Sequence, residues 1–66
     1  MKQISINNGA SYTTIEDAIA TVGMDTIAMI MDDEIREQVA NNIAPCTDEE
    51  FVAEYLRRAN EDLIIG

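Results

Sequence analysis

"KQISINNGASYT", residues 2–13, decides what kind of sheet this chain can build. Ile4 and Ile6 alternate with polar neighbours, the period-two pattern of a half-buried strand. Asn8-Gly9 follows, a pair that tolerates positive φ at both central positions of a tight turn. The stretch therefore reads as a β-hairpin whose short second strand lies around Ala10 to Tyr12. At the far end "DLIIG", residues 62–66, is a second β-type run that can join the hairpin as a third strand and tie down both termini. The sheet expected is small and antiparallel.

Between these runs the periodicity changes to helical. In "TTIEDAIATVG", residues 13–23, Ile15, Ala18, Ile19 and Val22 share one helical face, and Gly23 stands where a left-handed C-terminal residue is wanted. Thr13 with Glu16, or Thr14 with Asp17, supplies the N-terminal cap. Asp25 reads as the cap of a following helix, with Met24 and Met29 clamping its first turn. Met24, Ala28, Met31, Ile35, Val39 and Asn42 then drift in phase with a 3.6-residue period, so either one helix runs from about Thr26 to Ala44 or Asp32 restarts a second one. Pro45 ends it in both cases, because the residue before proline is pushed out of the helical region. In "CTDEEFVAEYLRRANED", residues 46–62, Thr47 and Glu50 have capping-box spacing and Cys46 and Phe51 occupy the staple positions. Val52, Tyr55, Leu56 and Ala59 make one apolar stripe, and Glu54 precedes Arg58 by four residues, the better orientation for a helical ion pair. The fold expected is α+β: an antiparallel sheet from the N-terminal hairpin and C-terminal strand, packed against two or three helices in one domain spanning residues 1–66.

Composition narrows the chemistry. Thirteen acidic residues stand against four basic ones with no histidine, a formal charge of -9 in 66 residues. Such a surface repels nucleic acid and anionic membranes and favours a basic partner. "TIAMIM", residues 26–31, is the longest apolar stretch and is far too short to span a bilayer, and the N-terminus lacks a signal peptide's apolar middle, so a cytoplasmic protein is expected. One cysteine excludes an internal disulfide, and Asp48, Glu49 and Glu50 beside Cys46 oppose thiolate formation, which favours a packing role for it. A zinc site needs several cysteine or histidine ligands, and "DDE" at 32–34 lacks the alternating ligands and central glycine of a calcium loop. No phosphate loop, serine elbow or dinucleotide signature occurs. The expectation is a binding protein, with neither enzymatic activity, metal nor cofactor.

The acidic residues are clustered. Asp32, Asp33, Glu34 and Glu37 lie in one group, and Asp48, Glu49, Glu50 and Glu54 in another. First turns of helices attract carboxylates, because they stabilise the macrodipole by roughly 0.3 to 1 kcal/mol each. That explains their placement but not the sign imbalance, since a surface built only for solubility mixes lysine among its acids. Residues four apart on a helix rise about 6 Å, so Asp33 with Glu37 and Glu50 with Glu54 offer charge spacings of the order found along a nucleic-acid backbone. An acidic protein lodged in a basic groove competes directly for the charge-driven part of nucleic-acid affinity. In size, acidity and lack of catalytic equipment the chain resembles the small inhibitor proteins of phages and mobile elements, the anti-CRISPR and anti-restriction class. That resemblance rests on overall composition and implies as target a guide-RNA-directed nuclease complex, that is a CRISPR effector, or a restriction enzyme, met in the host cytoplasm.

A second surface competes for attention. Ile27 and Met31 fit the core stripe, whereas Met29 and Ile30 lie off it, so this turn is apolar nearly all round. Core burial is the simpler assignment for Met29 and Ile30, and for Tyr12 and Tyr55. Otherwise Met29 and Ile30 form an adaptable apolar patch suited to a homodimer, or to a structural or adaptor role in a larger assembly.

Overall fold

The computed structural model describes residues 3–43 and 46–66. In chain order the elements are β1 (Ile4–Ser5), α1 (Ile15–Val22), α2 (Met24–Ile30), α3 (Asp33–Asn42), α4 (Asp48–Ala59) and β2 (Leu63–Ile64). The helix stop expected at Pro45 falls outside the described residues.

The tight turn forms, but the hairpin does not extend from it. Asn8 and Gly9 both have positive φ, 49° and 84°, and the Ala10 amide closes the turn on the Asn7 carbonyl at 2.9 Å. Beyond it a single antiparallel bridge joins Ile4 to Thr13, whose amide donates to the Ile4 carbonyl at 2.9 Å. Ala10, Ser11 and Tyr12 are exposed and offer no apolar face that would reward a longer ladder. Ser5 is buried, and its Oγ accepts from the amides of Asn7 at 3.2 Å and Gly9 at 3.1 Å, which holds the turn against its own strand.

The other edge of β1 is taken by the C-terminal run. β2 lies parallel to β1, with Ile4 opposite Leu63 and Ser5 opposite Ile64. Leu63 N–H donates to the Gln3 carbonyl at 3.0 Å, Ile65 N–H to Ser5 at 2.8 Å, and Asn8 N–H to Ile65 at 3.0 Å. The expected antiparallel sheet is thus corrected to a two-stranded parallel one. A parallel pair needs a long crossover connection, and here the whole helical body supplies it. The arrangement places Ile4 and Leu63 side by side in the core, where both are buried.

Four helices form where two or three were expected. Thr14 caps α1 by accepting the Asp17 amide at 3.1 Å. Gly23 then both ends α1 and begins α2, with φ 87° and ψ 151°. That combination is open essentially to glycine alone, a stricter demand than the left-handed helical conformation expected there. A Cβ at Gly23 would meet nothing within 4 Å, so the cost of any side chain is conformational and not steric crowding. Gly23→Ala is expected to destabilise the protein by roughly 1 to 3 kcal/mol, lowering the midpoint of thermal unfolding by about 4 to 8 °C per kcal/mol. An unchanged melting curve by circular dichroism would show that the backbone relaxes at no cost.

Asp25 is not the cap of α2 but sits inside its first turn, because the helix already starts at Met24. The Met24–Met29 clamp fails for the same reason, and Met29 is 82% exposed. The segment that could have been one helix breaks at Met31 and Asp32, both with extended backbone. Asp32 restarts it: its carboxylate accepts the Ile35 amide at 3.1 Å, while its own amide donates to the Tyr55 hydroxyl at 2.7 Å. Arg36 straddles the break, donating to the Ala28 carbonyl at 2.9 Å and to Asp33 at 2.9 Å. The Ala28 carbonyl, which also accepts the Met31 amide at 3.2 Å, is thereby bonded twice at the end of α2.

Ala18, Ile27, Met31, Val39, Val52, Tyr55 and Leu56 join Ile4 and Leu63 in the core. The α4 stripe packs against both α1 and α3. Cys46 is exposed, so the packing role expected for it is not observed.

Candidate partner-binding surface

The acids expected to meet a partner come from α3, α4 and the residue that caps α3. α4 follows α3 after a short connection, and Asp32 at the start of α3 bonds to Tyr55 in the second half of α4, so the two helices run antiparallel. Their acidic N-termini therefore lie at opposite ends of the pair, separated by roughly 15 Å, the length of α3. Asp32, Asp33, Glu34 and Glu37 occupy one end; Asp48, Glu49 and Glu50 occupy the other, and all seven are exposed.

These carboxylates are not equivalent. Asp32 and Glu50 are engaged in capping: Asp32 as above, and Glu50 by accepting from the Thr47 amide at 3.2 Å and its hydroxyl at 3.1 Å, while Thr47 accepts the Glu50 amide at 3.2 Å. Asp33 is paired with Arg36. Glu54, its side chain only 17% exposed, accepts from Arg57 and from Arg58, the latter at 2.9 Å. The hydrogen bond from Arg57 holds the Glu54 carboxyl below the usual carboxylate range, with partial burial opposing and Arg58 reinforcing. Glu34, Glu37, Asp48 and Glu49 form no ion pair among the described residues. Within the two acidic groups, they are the carboxylates that face solvent with neither an ion pair nor a capping bond.

The apolar candidates sort unevenly. Tyr55 is buried, as expected, and lends its hydroxyl to the α2–α3 break. Met29 and Ile30 are both exposed, which corrects their assignment to the core. Tyr12 is exposed too, donating from its hydroxyl to Asp62 at 2.9 Å, and this bond together with the Asp62 charge raises the tyrosine pKa. Ile30 does not stand alone: it borders an open groove with Met31, Asp32, Tyr55, Glu61, Asp62, Leu63 and Ile64. Glu61, Asp62 and Ile64 were missed by sequence reasoning, because the parallel pairing that brings the chain end beside α2 has no local signature.

Among the described residues no three histidine, cysteine or acidic side chains come together as a metal cage, and no helix is long and apolar enough to cross a membrane. No curated protein and no solved structure matches the chain. Residues 20–61, which include α2, α3, α4 and both acidic groups, match the family model described as Anti-CRISPR protein AcrIC5. Carrying that match over most of its length, the chain belongs to the AcrIC5 anti-CRISPR family, a class of inhibitors that act on CRISPR–Cas systems.

Proposed function

We propose that this anti-CRISPR protein inhibits by lodging its acidic surface in a basic nucleic-acid site of a CRISPR–Cas component. Asp32, Asp33, Glu34, Glu37, Asp48, Glu49, Glu50 and Glu54 are the contacts proposed, with Glu34, Glu37, Asp48 and Glu49 contributing most. The observation that carries this reading is the disposition of charge. All three described arginines are spent on Asp33 and Glu54, so the positive side chains neutralise internal pairs and leave the outward-facing carboxylates uncovered. A groove that receives nucleic acid is lined by lysine and arginine, and carboxylates entering it replace phosphates as counter-charges.

The test is competition. Purified CRISPR–Cas complex loaded with guide RNA is incubated with labelled target duplex and increasing inhibitor, at several salt concentrations. Displacement of the duplex, weakening steeply as salt rises from about 0.05 to 0.2 M, is the expected result. Simultaneous binding of inhibitor and duplex to one complex would overturn the reading.

The exposure of Met29 favours a second reading, an adaptor held to a larger assembly or to a second copy through Met29 and Ile30. In that case Met29→Asp abolishes association, and the association persists at high salt.

A further inference from the structure

The groove between the end of α2 and β2 combines three features that the acidic helices do not share. Its apolar wall is open, with Ile30 41% and Ile64 48% exposed. Asp32 and Glu61 stand on its border, and Asp62 lies beside them, already accepting the Gln3 amide at 2.9 Å as well as the Tyr12 hydroxyl. The third feature is a strand edge. Leu63 and Ile65 direct their amides to β1, so the alternation of a parallel ladder turns the N–H and C=O of Ile64 to the opposite side. The sheet has two strands, and no further strand covers that side among the described residues.

We propose that this groove is a docking site for an extended segment of the inhibited CRISPR–Cas component that carries arginine or lysine. The proposal rests on the reading of a direct, basic protein partner and adds where one part of that partner sits. An extended segment pairs its backbone with the exposed edge at Ile64, the mode by which a peptide adds a strand to a sheet. Its long basic side chains lay their aliphatic stems over Ile30 and Ile64 and bring their charged heads to Asp32 and Glu61. Charge selects this occupant over a second copy of the chain, which would bring the same acids against Asp32 and Glu61 at a net charge of -9 on each molecule.

The whole protein, labelled with nitrogen-15, is titrated with a synthetic peptide of alternating arginine and valine and, in parallel, with its glutamate–valine counterpart. Amide shifts confined to residues 30–32 and 61–65, with slowed hydrogen exchange at Ile64, are expected for the basic peptide alone. The double variant Ile30→Ser/Ile64→Ser, both at exposed positions, is expected to weaken that binding at least about tenfold with an unchanged circular dichroism spectrum. Shifts centred on α3 and the start of α4, or equal binding of the acidic peptide, overturn the proposal. So do concentration-dependent shifts of the same groove amides without peptide, which identify a second copy as occupant. The variant Glu34→Gln/Glu37→Gln/Asp48→Asn/Glu49→Gln separates the two readings. Lost duplex competition with peptide binding intact leaves the groove standing, whereas lost peptide binding in this variant overturns the groove and not the competition.

Discussion

Leu56→Ala is expected to bring the protein close to unfolding at room temperature. Leu56 is 1% exposed on α4, the helix that packs against both α1 and α3, so its side chain has neighbours on several elements at once. Truncating a buried leucine to alanine costs about 2 to 5 kcal/mol, the upper part of the range applying where surrounding groups cannot collapse into the space. A chain below about 70 to 80 residues seldom draws more than about 3 to 5 kcal/mol from its core, so the loss is comparable to the whole stability. Chemical denaturation followed by far-ultraviolet circular dichroism checks this. The wild type should show a native baseline and Leu56→Ala little or none, while Leu56→Met, which nearly conserves volume, should cost less than about 1.5 kcal/mol. A denaturation midpoint for Leu56→Ala at nearly the wild-type denaturant concentration would mean that α4 is not the central packing element.

The features of this fold that could be read from sequence are those written within one or two helical turns. Thr47 and Glu50 reach each other's backbone across three residues, and the Thr14 side chain reaches the Asp17 amide over the same interval, so their geometry follows from spacing alone. The α4 stripe was legible for the same reason, since Val52, Tyr55 and Leu56 recur at helical intervals and all three are buried. The sheet was not legible. β1 and β2 are two residues each, too short for an alternating pattern to declare direction, and their pairing is decided by how four helices return the chain. Asn8-Gly9 signalled its turn correctly, but a turn specifies a hairpin only if the flanking residues have apolar partners, and Ala10 and Ser11 have none. The α2–α3 break was one of two alternatives because its deciding contact, the Asp32 amide on the Tyr55 hydroxyl, spans 23 residues. Of the candidate surface, the acidic groups were visible as composition. The division between carboxylates tied up in caps and ion pairs and those facing solvent needed the positions of Arg36, Arg57 and Arg58.

That division sets the largest functional effect expected. Replacing Glu34 and Glu37 by glutamine, Asp48 by asparagine and Glu49 by glutamine removes four of thirteen acids without touching a cap or an ion pair. Glu34, Asp48 and Glu49 lie in first turns, where each lost charge gives up about 0.3 to 1 kcal/mol of dipole stabilisation. Relief of self-repulsion in so acidic a chain offsets part of this, so the variant should remain folded. Its inhibition should not survive. Charge complementarity accelerates encounter by about 10 to 1000-fold at low ionic strength, and truncating charges that become desolvated in a complex costs about 2 to 5 kcal/mol or more. A fall of at least about a hundredfold in inhibitory potency is therefore expected. The salt profile is the sharper discriminator, because loss of potency through misfolding or a displaced apolar contact would leave the slope unaltered. Wild-type potency should drop steeply as salt is raised, and the variant, which keeps four of the eight proposed acidic contacts, should fall with a clearly shallower slope over the same range. Full potency in the folded variant would reassign these carboxylates to solvation and move the inhibitory contact to Met29, Ile30 and the groove beside β2.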